Sequence, residues 1–273
     1  KGEETAMQTT VNSLLGEARR AILFYTRLPA SWLGAPEDAP GKGGEAGMGT
    51  AIRMAPVAGL AVGLAGAVVL AFATALTGSA LAGAVFALAA TVLVSGALHE
   101  DGLADFADSL GGASREQRLE IMRDSRIGTY GALALVLSVA ARAALIAAIG
   151  ANGGPAAAML TLISAHAVSR AMALWLPYSL PPARATGAGA AFGRPDEPVL
   201  QQAVLISLVI AFVLAASGAG LVATLGAVVL CAATAFAMGL LCEHKFGGQT
   251  GDLSGATVQL CEIAFLLAVA ALI

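Results

Sequence analysis

Charge is what this chain most conspicuously lacks. Asp, Glu, Lys and Arg make up 12% of its 273 residues, against roughly 25% in an ordinary soluble domain. A water-facing surface cannot be built on that supply, so a soluble globular fold is excluded. Aromatic residues are scarce at 5%, and the net charge of -3 carries no basic excess, so nucleic acid is not an expected partner. The three cysteines, Cys231, Cys242 and Cys261, are odd in number and lack metal-type spacing. They provide neither a disulfide framework nor a zinc site and read as core residues. The first residues contain no apolar stretch long enough for a secretory signal.

Hydrocarbon is what the chain has instead, at 58% hydrophobic residues and a mean hydropathy of +0.80. About 20 apolar residues in a helix cross the roughly 30 Å bilayer core. By that measure seven spans are expected, near 53–76, 80–98, 128–149, 156–176, 200–217, 220–242 and 257–273. Helices are required because backbone facing lipid must satisfy its own hydrogen bonds. The connections near 77–79, 150–155 and 218–219 hold no Lys or Arg, whereas Arg115, Arg118, Arg123, Arg126, Arg184, Arg194 and Lys245 fall in the alternate ones. The positive-inside rule then puts the N-terminus and all long loops in the cytoplasm. Between about Val11 and Leu28, the apolar Leu14, Leu15, Ala18, Ile22 and Tyr25 recur at helical spacing among Glu17, Arg19 and Arg20. This pattern suits a helix lying on the membrane surface. Residues 33–49, rich in Gly and Pro, read as a connector.

The most unusual stretch is "SGALHEDGLADFADSLGG", 95–112, where acid follows directly on hydrocarbon. If the second span continues through it, Asp101, Asp105 and Asp108 fall at i, i+4 and i+7 on one stripe. Adjacent carboxylates repel, and hard oxygen ligands call for Mg²⁺ or Mn²⁺. Mg²⁺ leaves several positions to water and substrate phosphates, so the stripe points to phosphate chemistry. Glu100 faces about a quarter turn aside and is a secondary member. Glu116 and Glu120, in "REQRLEIMRD", read as a solvated face.

Three further groups carry chemistry. In "EIMRDSRIGTYG", 120–131, Arg123 and Arg126 flank Asp124; they suit either bidentate phosphate binding or simple anchoring at a cytoplasmic helix end. In "HKFGGQTGDLSGA", 244–256, glycines surround Gln249, Thr250 and Asp252 before a helix. That arrangement forms an anion cradle, with Asp252 as metal ligand or proton acceptor. In "SAHAVSRAMALWLP", 164–177, His166 and Arg170 share a helix face. His166 reads as a core residue, and Arg170 as functional because burying it costs more. Arg142, inside the third span, is equally a functional candidate or a structurally paired or snorkelling residue.

With these segments quoted, the chain resembles the cobalamin synthase (adenosylcobinamide-GDP ribazoletransferase) family. The resemblance runs in order through "FYTRLP" (24–29), "HEDGLADFADSLGG" (99–112), "RLEIMRDSRIGTYGALAL" (118–135), "AVSR" (167–170) and "GGQTGDLSGATVQLCEIAFLLA" (247–268). It implies a Mg²⁺-dependent phosphotransferase that joins adenosylcobinamide-GDP to α-ribazole or its 5′-phosphate and releases GMP. On that basis Asp101, Asp105 and Asp108, with Glu100 as a lesser member, are expected to hold Mg²⁺. Asp252 joins them or acts as base, and His99 is a weaker base candidate. Arg123, Asp124, Arg126, Arg170, Gly248, Gln249 and Thr250 are expected around the substrate. The aspartate run is also similar to that of CDP-alcohol phosphotransferases, but it lacks their Ala-Arg continuation and wider spacing, so the likeness is one of chemistry. A transporter is disfavoured because the carboxylates gather at the membrane boundary and the halves show no repeat.

The expectation is thus an all-α, multi-pass helical bundle in a bacterial inner membrane, with its chemistry facing the cytoplasm. Residues 1–10 are expected to be disordered or tag-derived, and 11–273 to form one integral membrane catalytic domain. The expected partners are the two substrates, membrane lipid and other cobalamin-assembly enzymes.

Overall fold

The computed structural model describes residues 2–34, 49–185 and 193–273. The expected 33–49 connector, with Lys42, lies largely outside them. Ten helices carry the described fold: α1 (Gly2–Tyr25), α2 (Ala55–Thr77), α3 (Ala80–Ser95), α4 (Leu98–Ser109), α5 (Arg115–Ile121), α6 (Thr129–Ala173), α7 (Trp175–Ser179), α8 (Glu197–Ala219), α9 (Leu221–Phe246) and α10 (Gly251–Leu272). Among the described residues there is no strand, only one isolated parallel bridge between Pro182 and Gln249. The all-α membrane bundle is therefore borne out. Large apolar side chains such as Val68, Phe72, Leu93 and Val213 stand exposed on its outside, which lipid accommodates and water does not.

Helix α6 needs separate treatment. Its backbone breaks at Gly154 (φ 86°), just before Pro155. Pro155 can donate no amide hydrogen, and the left-handed φ at Gly154 ends the right-handed run. The chain reverses there: a Cβ on Gly150 would lie 3.6 Å from the Ala158 methyl, whereas eight residues of straight helix span about 12 Å. The element is thus a hairpin of two arms, 129–153 and 155–173, whose Ile146, Ile149, Ala158 and Leu162 meet in the main core with Leu88 and Phe265. Among the described residues, five helical stretches are long and apolar enough to cross a membrane when the hairpin is counted as one. Joining α3 and α4 across a 94° bend adds one more, and counting the two arms of the hairpin separately adds another, so the number of spans turns on how these two breaks are counted.

That bend corrects the expectation that the second span runs on through the acidic stretch. Gly96 and Ala97 are both left-handed (φ 66° and 57°), so the right-handed spiral stops and α4 is directed across the end of the bundle. For Ala97 this conformation costs about 1–2 kcal/mol, which the surrounding packing must offset. The strap after α1 is tied to the same corner by the Arg27 amide donating to the Val94 carbonyl (2.7 Å).

Helix α1 begins at Gly2 rather than near Val11. Leu14 and Leu15 are exposed, while Ala21 and Tyr25 face the protein. Glu17 is buried as well and accepts from Arg53 Nε and Thr50 Oγ1, both at 2.7 Å, which holds α1 against the turn leading into α2. Helix α5 leaves Glu116 and Glu120 exposed, as its charged run suggests.

Candidate functional site

The candidate site sits where α4 crosses the start of α10. Gly102 permits the crossing: a Cβ there would lie 2.7 Å from the Asp252 carbonyl oxygen. The three aspartates of α4 keep their common stripe, and Asp252 faces it from α10. Asp105 shows how closely the charges approach. Burial first, then the Asp101, Asp252 and Asp108 carboxylates, push it up to about 6.

Among the described residues, Arg184 answers this group. Arg184 Nη2 lies 3.6 Å from Asp252 Oδ2, with its side chain only 13% exposed. Its Nε and Nη2 are buried without a hydrogen-bond acceptor, and burial lowers its pKa despite the attraction of Asp252. The loop bearing it is pinned to the glycine-rich loop, since Gln249 N donates to Pro181 O (2.9 Å) and Ala183 N to Gln249 O (2.8 Å).

Beside the carboxylates opens a cavity of about 130 Å³ that Asp101, Asp252, His99, Arg170 and Tyr25 help to line. His99 stacks on Tyr25, with ring centroids 5.9 Å apart and planes at 28°. Burial, then the Arg170 guanidinium, hold its imidazole well below the usual range, so it is neutral. Arg170 Nη2 lies 3.4 Å from His99 Nδ1, and its Nη1 donates to the His166 carbonyl (2.9 Å) and to Glu262 Oε1 (3.3 Å).

Beneath the cavity lies a buried ionic network centred on Glu262. Its carboxylate meets Arg142 Nη1 at 3.0 Å, His166 Nδ1 at 2.7 Å and Arg170 Nη1 at 3.3 Å. Arg142 and Arg170 come from opposite arms of the α6 hairpin. Arg142 Nη2 also reaches Glu100 Oε1 (3.3 Å), to which Gln259 Nε2 donates at 3.0 Å. Two arginines and two glutamates balance in a region where an unpaired charge would be very costly.

The structure thus sorts the expected residues. Asp101, Asp105, Asp108 and Asp252 are brought together, and His99 and Arg170 adjoin them. Glu100 turns into the bundle toward Arg142 and Gln259, away from the group where it was expected. Asp108 has a second occupation: its two oxygens accept from Gly128 N (2.7 Å) and Gly131 N (2.8 Å), capping the start of α6. Each oxygen keeps a lone pair for another partner. Arg126 forks onto Asp124, lowering it to about 2, and the pair is solvent-facing. Arg123 is exposed but near enough to Arg184 to depress its pKa.

The glycine-rich loop is less free than an anion cradle requires. Gly247 N is spent on Glu243 O and Gln249 N on Pro181 O. Thr250 caps α10 by accepting from Leu253 N (3.2 Å), and Gly248 packs against the 181–183 backbone.

Sequence reasoning passed over Arg184, Tyr25 and Glu262. Glu262 had a usable signal, a carboxylate inside an apolar span. Arg184 had none, because an arginine in a connecting loop reads as an anchor.

The donor chemistry fits Mg²⁺ in one specific sense. Among the described residues, no three His, Cys, Asp or Glu side chains converge to hold an ion unaided. Carboxylates that repel yet stop short of a cage suit an ion that takes one or two of them and fills its shell with water and phosphate.

The family model for cobalamin-5-phosphate synthase matches residues 17–270. Among similar curated proteins, one from Azorhizobium caulinodans is 47% identical over 94% of this chain and 96% of its own length. Others from Xanthobacter autotrophicus (45%, over 91% and 93%) and Rhizobium etli (42%, over 93% and 96%) match comparably. All three are named adenosylcobinamide-GDP ribazoletransferase. No solved structure matches the chain significantly.

Proposed function

The chain belongs to the cobalamin-5-phosphate synthase family, and from that membership we propose that it joins adenosylcobinamide-GDP to α-ribazole or its 5′-phosphate, releasing GMP. One observation carries the reading at the level of chemistry: carboxylates from α4 and α10 face each other beside a half-buried arginine, at the mouth of a cavity.

A ribose hydroxyl of the acceptor attacks the phosphorus nearest the cobinamide. The new O–P bond forms as the bond from that phosphorus to the GMP oxygen breaks, and the hydroxyl proton passes to a base. Asp105, raised to about 6, is ionised at neutral pH yet basic enough to take that proton, close to the optimum for general base catalysis. Asp252 is the alternative, with Arg184 beside it. His99 is less suited, because its neutral ring is engaged with Tyr25 and Arg170. Arg184 is placed to orient the diphosphate and stabilise its charge, with Arg123 at the rim and Arg170, engaged with Glu262 and His166, lining the cavity behind. Mg²⁺, held by one or two of Asp101, Asp105, Asp108 and Asp252, would neutralise phosphate charge. Arginine and lysine placement supports a cytoplasmic mouth in a bacterial inner membrane.

The test is GMP release by the purified protein in detergent micelles, with and without EDTA. Asp105→Asn and Asp252→Asn variants that remain folded are expected to lose roughly 100-fold or more. Near-normal release from both variants would refute the site, and CMP from a CDP-alcohol in place of GMP would refute the substrate.

A further inference from the structure

The cavity itself discriminates between the two substrates. Its walls are largely apolar or aromatic, formed by Phe24, Tyr25, His99, Leu174, Pro177 and Val258. Asp101 and Asp252, members of the carboxylate group, also line it. An occupant must therefore carry a flat apolar part and a polar, hydroxyl-bearing part, oriented with the latter toward Asp252.

Size narrows the choice. At about 130 Å³ the cavity is close to the ~150 Å³ that holds a benzene ring in a protein interior. It falls well short of the roughly 300 Å³ at which drug-sized pockets begin. A corrin macrocycle is far too large for it, whereas a flat aromatic ring fits, and a fused-ring base would keep part of its outline at the open side. The Tyr25–His99 stack offers a ring face for offset stacking. Arg170 lines the same cavity, held behind it by the His166 carbonyl and Glu262.

We propose that this cavity is the acceptor subsite. It receives the aromatic base of a ribonucleoside between the Tyr25–His99 stack and Val258, presents the ribose hydroxyl to the carboxylate group at the edge that Asp252 marks, and leaves the bulky donor outside with only its diphosphate reaching the carboxylates. The assignment rests on the proposed ribazole transfer and adds which substrate goes where. Val258 and Leu174 then set the permitted ring size without touching reacting atoms.

The experiment fills and enlarges the cavity. Val258→Phe is expected to raise the KM for α-ribazole by at least about tenfold, a size effect usual for hydrophobic pockets, while leaving the KM for the GDP-bearing donor within about twofold. Leu174→Ala is expected to admit an acceptor ribonucleoside whose base carries one additional fused ring, which the unmodified protein rejects. It keeps the question decidable if Val258→Phe fails to fold. Calorimetric titration of the unmodified protein with α-ribazole, without donor, should show saturable binding that Val258→Phe weakens to a similar degree. Unchanged acceptor KM and binding in Val258→Phe, or an equal rise for both substrates, would overturn the subsite while the activity stands. Absence of GMP release from the unmodified protein overturns the activity itself, and the titration still decides what the cavity binds.

Discussion

Replacing Asp105 with asparagine should make the protein more stable while disabling it. The side chain sits at about 6 where an isolated aspartate would be 3.8, a rise of about two units. At roughly 1.4 kcal/mol per unit the ceiling is ~3 kcal/mol. Asp105 is only partly buried, so screening reduces this to about 1–2 kcal/mol. The sign follows from the direction of the shift. A carboxyl raised in the folded state is strained when ionised, so the penalty is absent below about 3.8, grows between 3.8 and about 6, and is complete above 6. Asn keeps the shape and removes the charge. Melting of the micelle-solubilised protein, followed by tryptophan fluorescence in EDTA, should therefore rise for Asp105→Asn by ~3 °C at pH 8 and by about half as much at pH 5, midway through the window in which the penalty grows. Mg²⁺ at pH 8 should raise the melting temperature of the unmodified protein more than that of the variant. A variant that melts at or below the unmodified protein at pH 8, or gains equally at both pH values, would show that the four carboxylates do not repel as described.

Two further outcomes are expected. Glu262→Gln leaves Arg142 and Arg170 buried without their shared counter-charge and should cost about 3–5 kcal/mol, read as a lowered melting temperature that a second change, Arg142→Gln, partly restores. Gly102→Val places a side chain against the Asp252 backbone, where a Cβ already falls at 2.7 Å; it should keep the helical circular dichroism but lower GMP release by about 100-fold through misplaced groups, and near-normal release would separate the α4–α10 crossing from the chemistry.

Much of the site can be read from spacing alone, because i, i+4 and i+7 on any helix align Asp101, Asp105 and Asp108 whatever that helix does. Asp252 is similarly legible, since glycines around a carboxylate before an apolar run mark a helix start. The 94° corner is not. It depends on Ala97 adopting a left-handed conformation, for which alanine carries no local preference, so the tertiary packing dictates it. The destination of Glu100 is also hidden. A quarter-turn offset on α4 separates the cation-binding stripe from a side chain that answers Arg142 inside the bundle, and only the position of α6 decides which applies. The reversal at Gly154 is signalled by Gly-Gly-Pro, yet nothing local reveals that both arms deliver an arginine to one glutamate.

That hairpin acts as a ruler. Arg142 and Arg170 reach Glu262 from opposite arms, so the stretch between each arginine and the tip at Gly154 has a fixed register. One residue inserted in either arm would rotate everything beyond it by about 100° and advance it 1.5 Å, swinging an arginine out toward lipid. The same insertion at the tip, outside the helical ladder, would leave both arginines on target. Length variation among natural relatives should therefore collect at the tip and stay out of the arms.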